Sequence, residues 1–300
     1  MTFDELLEII TKRATPAGSF ISISEELEDR IFAIDVTSLL LLLEQIGSIP
    51  ESIDHDSSAE KLFAKAADVV LARSLHELGL RATVNKERAD CADVIGRSDF
   101  DNYSLVGDAK AFRLSRTAKN QKDFKVKSMA DWRSDHNFAV LVCPYFHYPK
   151  RSSQIYGQAI DANVCLLSWE HIQFFVRHGL RESSSFSLAP VWGMSAQLAD
   201  QVKVSQKNRK DNFHRVGNEL ICSYVGYDYA QLRNELLQCK DLTIRRAETE
   251  IEYWTKHVKE VEKYTREQAI TELISSLKVH EKIASIRKFI RLLPKDESLA

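Results

Sequence analysis

Long apolar runs are missing from this chain. Its longest, among them Leu39 to Leu43 and Phe138 to Cys143, are five and six residues. A membrane-spanning helix needs roughly 20, so no membrane partner is expected. The first residues, Met-Thr-Phe-Asp-Glu, lack the basic start and apolar core of a secretory signal, and a cytoplasmic location is expected. The five cysteines (Cys91, Cys143, Cys165, Cys222 and Cys239) contain no close pair. That argues against zinc ligation and disulfides and for reduced thiols. No glycine-rich phosphate loop, G-x-S-x-G or H-E-x-x-H motif occurs. The histidines show no metal-ligand spacing. Excess positive charge is absent too: the formal net charge is −2. A nucleic-acid partner would have to be met by a local basic surface rather than by the field of the whole protein.

What is present is an alternation of helical and strand-like segments. Residues 1–50 read as helical, with Leu39, Leu42, Leu43 and Ile46 at helical spacing. Ser57 or Ser58 caps a helix over 59–78, with Leu62, Phe63, Ala66, Val69, Val70 and Ala72 inward and Gly79 as its stop. Short strand-like runs follow at 92–96 and 104–109, separated by the polar turn 97–102, which suits an antiparallel pair. The apolar runs 138–143 and 164–167 suit buried central strands. Residues 153–162 form a crossover helix between them. The fold class is therefore α/β, a central mixed sheet flanked by helices on both faces.

Residues 181–189 read as a serine-rich loop and 203–215 as a flexible basic connection. Residues 228–263 lack Gly and Pro and form one long helix or two. Thr265 with Gln268 is a capping box for a last helix. The expected organisation is a single domain over 1–300. Its N-terminal part (about 1–80) is helical, its α/β core covers about 81–180, and its C-terminal part (about 226–300) is helical.

One constellation carries chemistry. Asp93 lies in the first short strand, and Asp108 and Lys110 end the second. Residues two apart on a strand share a face, and pairing can bring Asp93 alongside. Two carboxylates and the backbone carbonyl of Ala109 form a hard oxygen donor set of the kind Mg²⁺ takes. Lys110 would orient an attacking water or stabilise a pentavalent phosphoryl transition state. Glu60, early in the helix before the sheet, is a further candidate metal contact through water, with charge complementarity at a helix N-terminus as its alternative role.

Behind the site runs a basic stretch. Lys110, Arg113, Arg116, Lys119, Lys122, Lys125 and Lys127 are opposed only by Asp123, seven positive charges less one negative, or +6. Interleaved Ser115, Thr117, Asn120 and Gln121 make it a candidate surface for gripping phosphates and reading bases. Asn pairs with adenine, Lys donates to guanine and Asp accepts from cytosine N4.

The segment Asp108-Ala-Lys-Ala-Phe-Arg-Leu-Ser-Arg-Thr-Ala-Lys-Asn-Gln-Lys-Asp-Phe-Lys-Val-Lys127 closely resembles the corresponding part of the HindIII family of type II restriction endonucleases. Glu60-Lys-Leu-Phe63, Asp93-Val-Ile95, Ser168-Trp-Glu-His171 and Thr265-Arg-Glu-Gln-Ala-Ile270 extend the resemblance over most of the chain. It implies a PD-(D/E)xK nuclease of the EcoRI-like class, prokaryotic and homodimeric. It also implies cleavage of double-stranded DNA at AAGCTT after the first A, with one or two Mg²⁺ per active site and Mn²⁺ able to substitute. A cognate DNA methyltransferase would act on the same site without a stable complex. Carried over, Asp93, Asp108 and Lys110 are catalytic, and Asn120, Lys122 and Asp123 fall in the recognition segment. Arg113, Arg116, Lys119 and Lys125 complete the expected DNA contacts. Ala92 stands where the motif's name has proline.

Overall fold

The structure, a computed structural model, describes residues 1–13, 20–85, 91–116, 121–149, 152–203, 206–277 and 279–292. The chain divides into two compact units, Met1–Ala247 and Glu248–Ala300.

The first unit opens with α1 (Phe3–Arg13), α2 (Phe20–Phe32), α3 (Val36–Leu43) and the long α4 (Ser58–Glu77). Helix α4 begins where the sequence indicates. The Ser57 side chain accepts from the Glu60 N–H at 3.0 Å, which satisfies one of the free donors of the first turn. It ends at Gly79, whose φ of +89° is the left-handed conformation that glycine adopts without strain.

Five strands form one sheet in chain order: β1 (Leu80–Val84), β2 (Val94–Ser98), β3 (Ser104–Ala109), β4 (Phe138–Cys143) and β5 (Val164–Ser168). The pairs β1–β2 and β2–β3 are antiparallel, while β3–β4 and β4–β5 are parallel. Short α5 (Gln121–Phe124) and α6 (Val126–Trp132) lie in the β3–β4 crossover, and α7 (Gln154–Asp161) in the β4–β5 crossover. Strands β4 and β5 are apolar on both faces. Val140, Val142, Cys165 and Leu167 enter one core, and Ala139, Leu141, Cys143, Val164 and Leu166 enter the other. This two-sided burial is what the parallel part of a sheet requires. The first core also holds the buried faces of α1 to α4 and of α8 (Trp169–Arg177). The second lies beneath α6, α7, α10 (Met194–Gln201) and α11 (Lys210–Val225), with α9 (Ala189–Trp192) bridging the connection to α10.

The mixed sheet with flanking helices agrees with the class read from the sequence. Three details differ. Strand β1 was not foreseen, although Leu80-Arg81-Ala82-Thr83-Val84 alternates buried and exposed with the strand period. Strand β2 runs two residues later than 92–96, so Asp93 stands just ahead of it rather than inside it. The stretch 203–215 is not simply a connection, because α11 starts at Lys210. Phe213 and His214 are buried, and the Lys210 ammonium donates to the Tyr145 carbonyl at 2.9 Å. Its polar residues mask an amphipathic helical start.

The serine-rich segment after residue 180 is pinned by one buried acid. Glu182 accepts from Tyr103 Oη, from Ser98 Oγ at 3.0 Å and from the Leu188 N–H at 2.6 Å. The Trp192 indole donates to Tyr103 Oη at 2.8 Å. The second unit contains the end of α12 (Tyr229–Val261), then α13 (Arg266–Ser276) and α14 (Val279–Leu292). Thr265 and Gln268 form the capping box expected for α13.

Replacing Tyr103 by Phe removes a donor to Glu182 and the acceptor of the Trp192 indole. The expected loss is about 1–3 kcal/mol, read as a lower urea midpoint with an unchanged slope. An unchanged midpoint would show that the Glu182 network does not hold this segment.

Candidate active site

Three elements converge on the open end of the β2–β3 pair. The antiparallel register sets Val94 against Gly107. One step further along that register, Asp93 stands opposite Asp108. The Asp93 carbonyl accepts from the Asn85 N–H at 2.8 Å, which ties the segment before β2 to the end of β1. Lys110 lies one residue past β3, yet its backbone is held on both sides. Its N–H donates to the Val142 carbonyl at 2.7 Å, and its carbonyl accepts from the Trp169 indole at 3.0 Å. Gly47 makes room for that indole: a Cβ there would lie 2.7 Å from Trp169 Cδ1.

Helix α4 is the third element. A Cβ at Gly107 would come within 3.3 Å of Leu71 Cδ2, so glycine permits the helix to approach β3 closely. Leu71 and Asp68 are three apart and share a helix face. The same packing therefore carries Asp68 toward the strand ends.

Asp68, Asp93 and Asp108 each offer an oxygen, and these atoms all lie within 4.8 Å of one another. Asp68 and Asp108 are buried and Asp93 is half-buried. The Lys110 ammonium sits 2.5 Å from Asp108 Oδ2. Burial, then the Asp93 and Asp108 charges, push the Asp68 carboxyl well above the usual range. Burial, then the Asp108 charge, push Asp93 up as well. Lys65 and Lys110 act in the opposite direction on both. Crowded carboxylates in a partly dry site are stabilised by a bound divalent cation, and an all-oxygen donor set suits a hard one.

The structure brings together Asp93, Asp108, Ala109 and Lys110, as the sequence reading grouped them. It does not bring Glu60 to them. Glu60 accepts from Arg113 Nε at 3.1 Å, from Arg113 Nη2 at 2.9 Å and from the Asp56 N–H at 2.7 Å. Its neighbours His55 and Asp56 are exposed. The acid that the sequence reading missed is Asp68. Its signal was a lone carboxylate in the apolar run Ala66-Ala67-Asp68-Val69-Val70-Leu71-Ala72.

The basic stretch is less uniform than its composition suggests. Phe112 is stitched to residues 47–49: its N–H donates to the Gly47 carbonyl at 3.0 Å and its carbonyl accepts from the Ile49 N–H at 3.2 Å. Arg113, expected on the DNA-binding surface, points inward. Besides Glu60 it donates to the Pro50 carbonyl at 3.1 Å. Buried Glu51 accepts from the Ser115 N–H at 3.1 Å. Arg116 pairs with Asp123 at 2.6 Å. Lys122 and Lys125 are exposed, and the Lys125 ammonium lies 5.2 Å from the centre of the Trp132 ring. Lys119 and Asn120 lie outside the described residues.

Arg113→Ala leaves Glu60 Oε1 and the Pro50 carbonyl without the guanidinium donor in a largely dry pocket. A loss of about 3 kcal/mol in stability is expected, measured by urea unfolding. Arg113→Lys should recover part of it, since one ammonium cannot reproduce the guanidinium fork. A neutral Arg113→Ala would mean that the arginine does not anchor this stretch.

The comparisons with known proteins identify a family. The family model of the HindIII restriction endonuclease matches residues 5–290. The Type II restriction enzyme HindIII of Haemophilus influenzae is 39% identical over 271 residues, which cover 90% of this chain and 89% of that protein. A match of this length, running through the acidic cluster, the lysine and the basic stretch, shows that the chain belongs to the HindIII restriction endonuclease family.

Proposed function

We propose that this restriction endonuclease cuts double-stranded DNA at the palindrome AAGCTT, after the first A, with Mg²⁺, within a restriction-modification system. The observation that carries the chemistry is the meeting of Asp93, Asp108 and Lys110, with the lysine ammonium 2.5 Å from the Asp108 carboxylate. The choice of AAGCTT rests on the resemblance of the basic segment to that of the family.

Asp93, Asp108 and the Ala109 carbonyl would hold the cation, one or two per site, and Mn²⁺ would substitute for Mg²⁺. When bound, the cation neutralises charge on the scissile phosphate and acidifies a water. Lys110 directs its ammonium at the same place. It orients the attacking water or takes up negative charge as the phosphorus becomes five-coordinate. Its fixed backbone keeps the charge where it is needed with little reorganisation.

Exposed Lys122 and Lys125 grip the DNA backbone or a guanine edge, and Arg116 and Lys119 are assigned to the same task. Asn120 reads adenine, and Asp123, oriented by Arg116, accepts from cytosine N4. Arg113 sets the start of this segment rather than touching DNA.

A palindrome suits a two-fold homodimer in which each copy reads one half-site. Ile251, Trp254, Val258 and Val261 are exposed large apolar residues on α12. Their three-four-three spacing is that of a helix seam covered by another helix, which supports self-association. The methyltransferase acts on the same DNA without a lasting complex.

Purified protein with Mg²⁺ is expected to cut a plasmid at each AAGCTT and to leave a site-free plasmid intact. Random degradation, or no cutting over a range of salt and Mg²⁺, contradicts the proposal. Asp108→Ala should abolish cleavage while DNA binding stays measurable; normal cleavage by that variant removes Asp108 from the mechanism. Sedimentation equilibrium should find a dimer for the wild type and a monomer for Trp254→Glu. A monomeric wild type would contradict the dimer.

A further inference from the structure

We infer that Lys203 and Arg209 form a second basic ledge, which grips phosphates of the bound duplex just outside the six base pairs of the recognition site. This rests on the DNA-cutting reading above and extends the DNA interface to a segment which that reading leaves unused.

The fold carries this segment to the active-site edge of the sheet. Strands β3, β4 and β5 are parallel, so Lys110, Tyr145 and Trp169 all lie past the same edge. Helix α10 starts at the opposite edge. Ser195 Oγ donates to the carbonyl of Val164, the first residue of β5, at 2.7 Å, and the Ala196 N–H donates to Asn163 Oδ1 at 3.1 Å. The chain then returns along α7, against which α10 packs. Two turns follow: the Gln206 N–H donates to the Lys203 carbonyl at 2.8 Å, and the Arg209 N–H to the Gln206 carbonyl at 3.0 Å. Asn208 fastens them to the start of α7. Its carbonyl accepts from the Ser153 N–H at 2.7 Å and its Oδ1 from the Gly157 N–H at 3.2 Å. A Cβ at Gly157 would lie 2.6 Å from that Oδ1, so only glycine admits the contact. The Lys210 ammonium donates to the Tyr145 and Tyr148 carbonyls at 2.9 and 3.4 Å, just past β4.

The recognition segment is a close neighbour. The Phe124 ring stacks on Tyr148 with centroids 5.7 Å apart, and Tyr148 meets the His214 ring at 4.8 Å. One aromatic ring therefore stands between the two basic segments, and Phe124, Val202 and Phe213 enter the same core. A spacing of roughly 10 Å corresponds to about three base pairs of duplex. That is the length of a half-site. A step of this size from the recognition segment leads onto the flank, because the partner copy's own segment fills the other half-site.

Charge selects the ligand. Residues 200–215 hold five Lys or Arg against Asp200 and Asp211, five less two, or +3. Three of the five cations are committed. Lys207 pairs with Asp161 at 3.2 Å, Arg215 with Glu219 at 3.0 Å, and Lys210 is held by backbone carbonyls. Lys203 and Arg209 are exposed, and neither has an ion-pair partner among the described residues. Exposed cations beside a base-reading segment suit phosphates, which position a duplex without reading it.

Binding is measured by fluorescence anisotropy with the full-length Asp108→Ala protein in Mg²⁺, so that the DNA stays intact. The probes are a 24-base-pair duplex with AAGCTT at its centre, the same duplex with uncharged methylphosphonates in its flanks, and a scrambled duplex. Adding Lys203→Ala and Arg209→Ala is expected to lower the slope of log affinity against log salt by about one unit per cation removed. The penalty for uncharged flanks should largely vanish, and the preference for AAGCTT over the scrambled duplex should not change. Arg215→Ala, which removes the same charge from a paired position, should leave the slope nearly unchanged. An unaltered slope and flank penalty in the double substitution overturns the inference, as does an equal effect of Arg215→Ala or a changed sequence preference. If the starting protein does not prefer AAGCTT, the recognition reading fails. The ledge is then decided on the scrambled duplex, where the slope must still fall. Both positions are exposed, and thermal melting checks that the variants are folded.

Discussion

Three carboxylates share one small, largely dry space, and only positive charge makes that arrangement tolerable. Two unit charges about 4 Å apart interact by roughly 4 kcal/mol in a medium of effective dielectric 20. The Lys110 ammonium is in contact with one of the three acids. Protonation can relieve the others, and both Asp68 and Asp93 are pushed in that direction. A divalent cation relieves all of them together, and it does so where a phosphate can reach. The electrostatic cost of the site and its chemistry thus have one origin.

The rest of the fold delivers these groups. The antiparallel β2–β3 register sets Asp93 against Asp108. The parallel β3–β4 pairing fixes Lys110 through Val142, and the Trp169 indole closes on its carbonyl. Helix α4 lies against the same strands because Gly107 carries no side chain. The basic segment leaves the site directly at Lys110. It is fastened near its start by Phe112, Arg113 and Ser115 to residues 47–51 and to Glu60. Cutting and reading groups therefore sit on one continuous stretch whose position is set by buried contacts. Displacing those contacts would move recognition relative to chemistry.

Much of this was legible in the sequence for physical reasons. Helix α4 announced itself by a serine cap, an apolar face and a terminal glycine. Strands β4 and β5 were legible because two-sided burial demands unbroken apolar runs. Asp108 and Lys110 stood out because charge at the end of an apolar strand is costly without a use. Asp68 was hidden by the opposite circumstance: an acid inside an apolar helical run reads as a solvent-facing residue until the packing is known. Strand β1 escaped because its short alternation directly follows a helix stop. The inward direction of Arg113 depends on Glu60, fifty-three residues away, and no local pattern encodes such a partner. Composition assigned that arginine to a basic surface, and tertiary packing took it away.

The central claim is that Asp93 and Asp108 hold a divalent cation beside Lys110. Anomalous diffraction from crystals grown with Mn²⁺ tests it most directly. The account predicts an anomalous peak at about 2.1–2.4 Å from carboxylate oxygens of both residues. Ordered metal elsewhere, for example at His55 and Glu60, with none between Asp93 and Asp108 at saturating Mn²⁺, would contradict it.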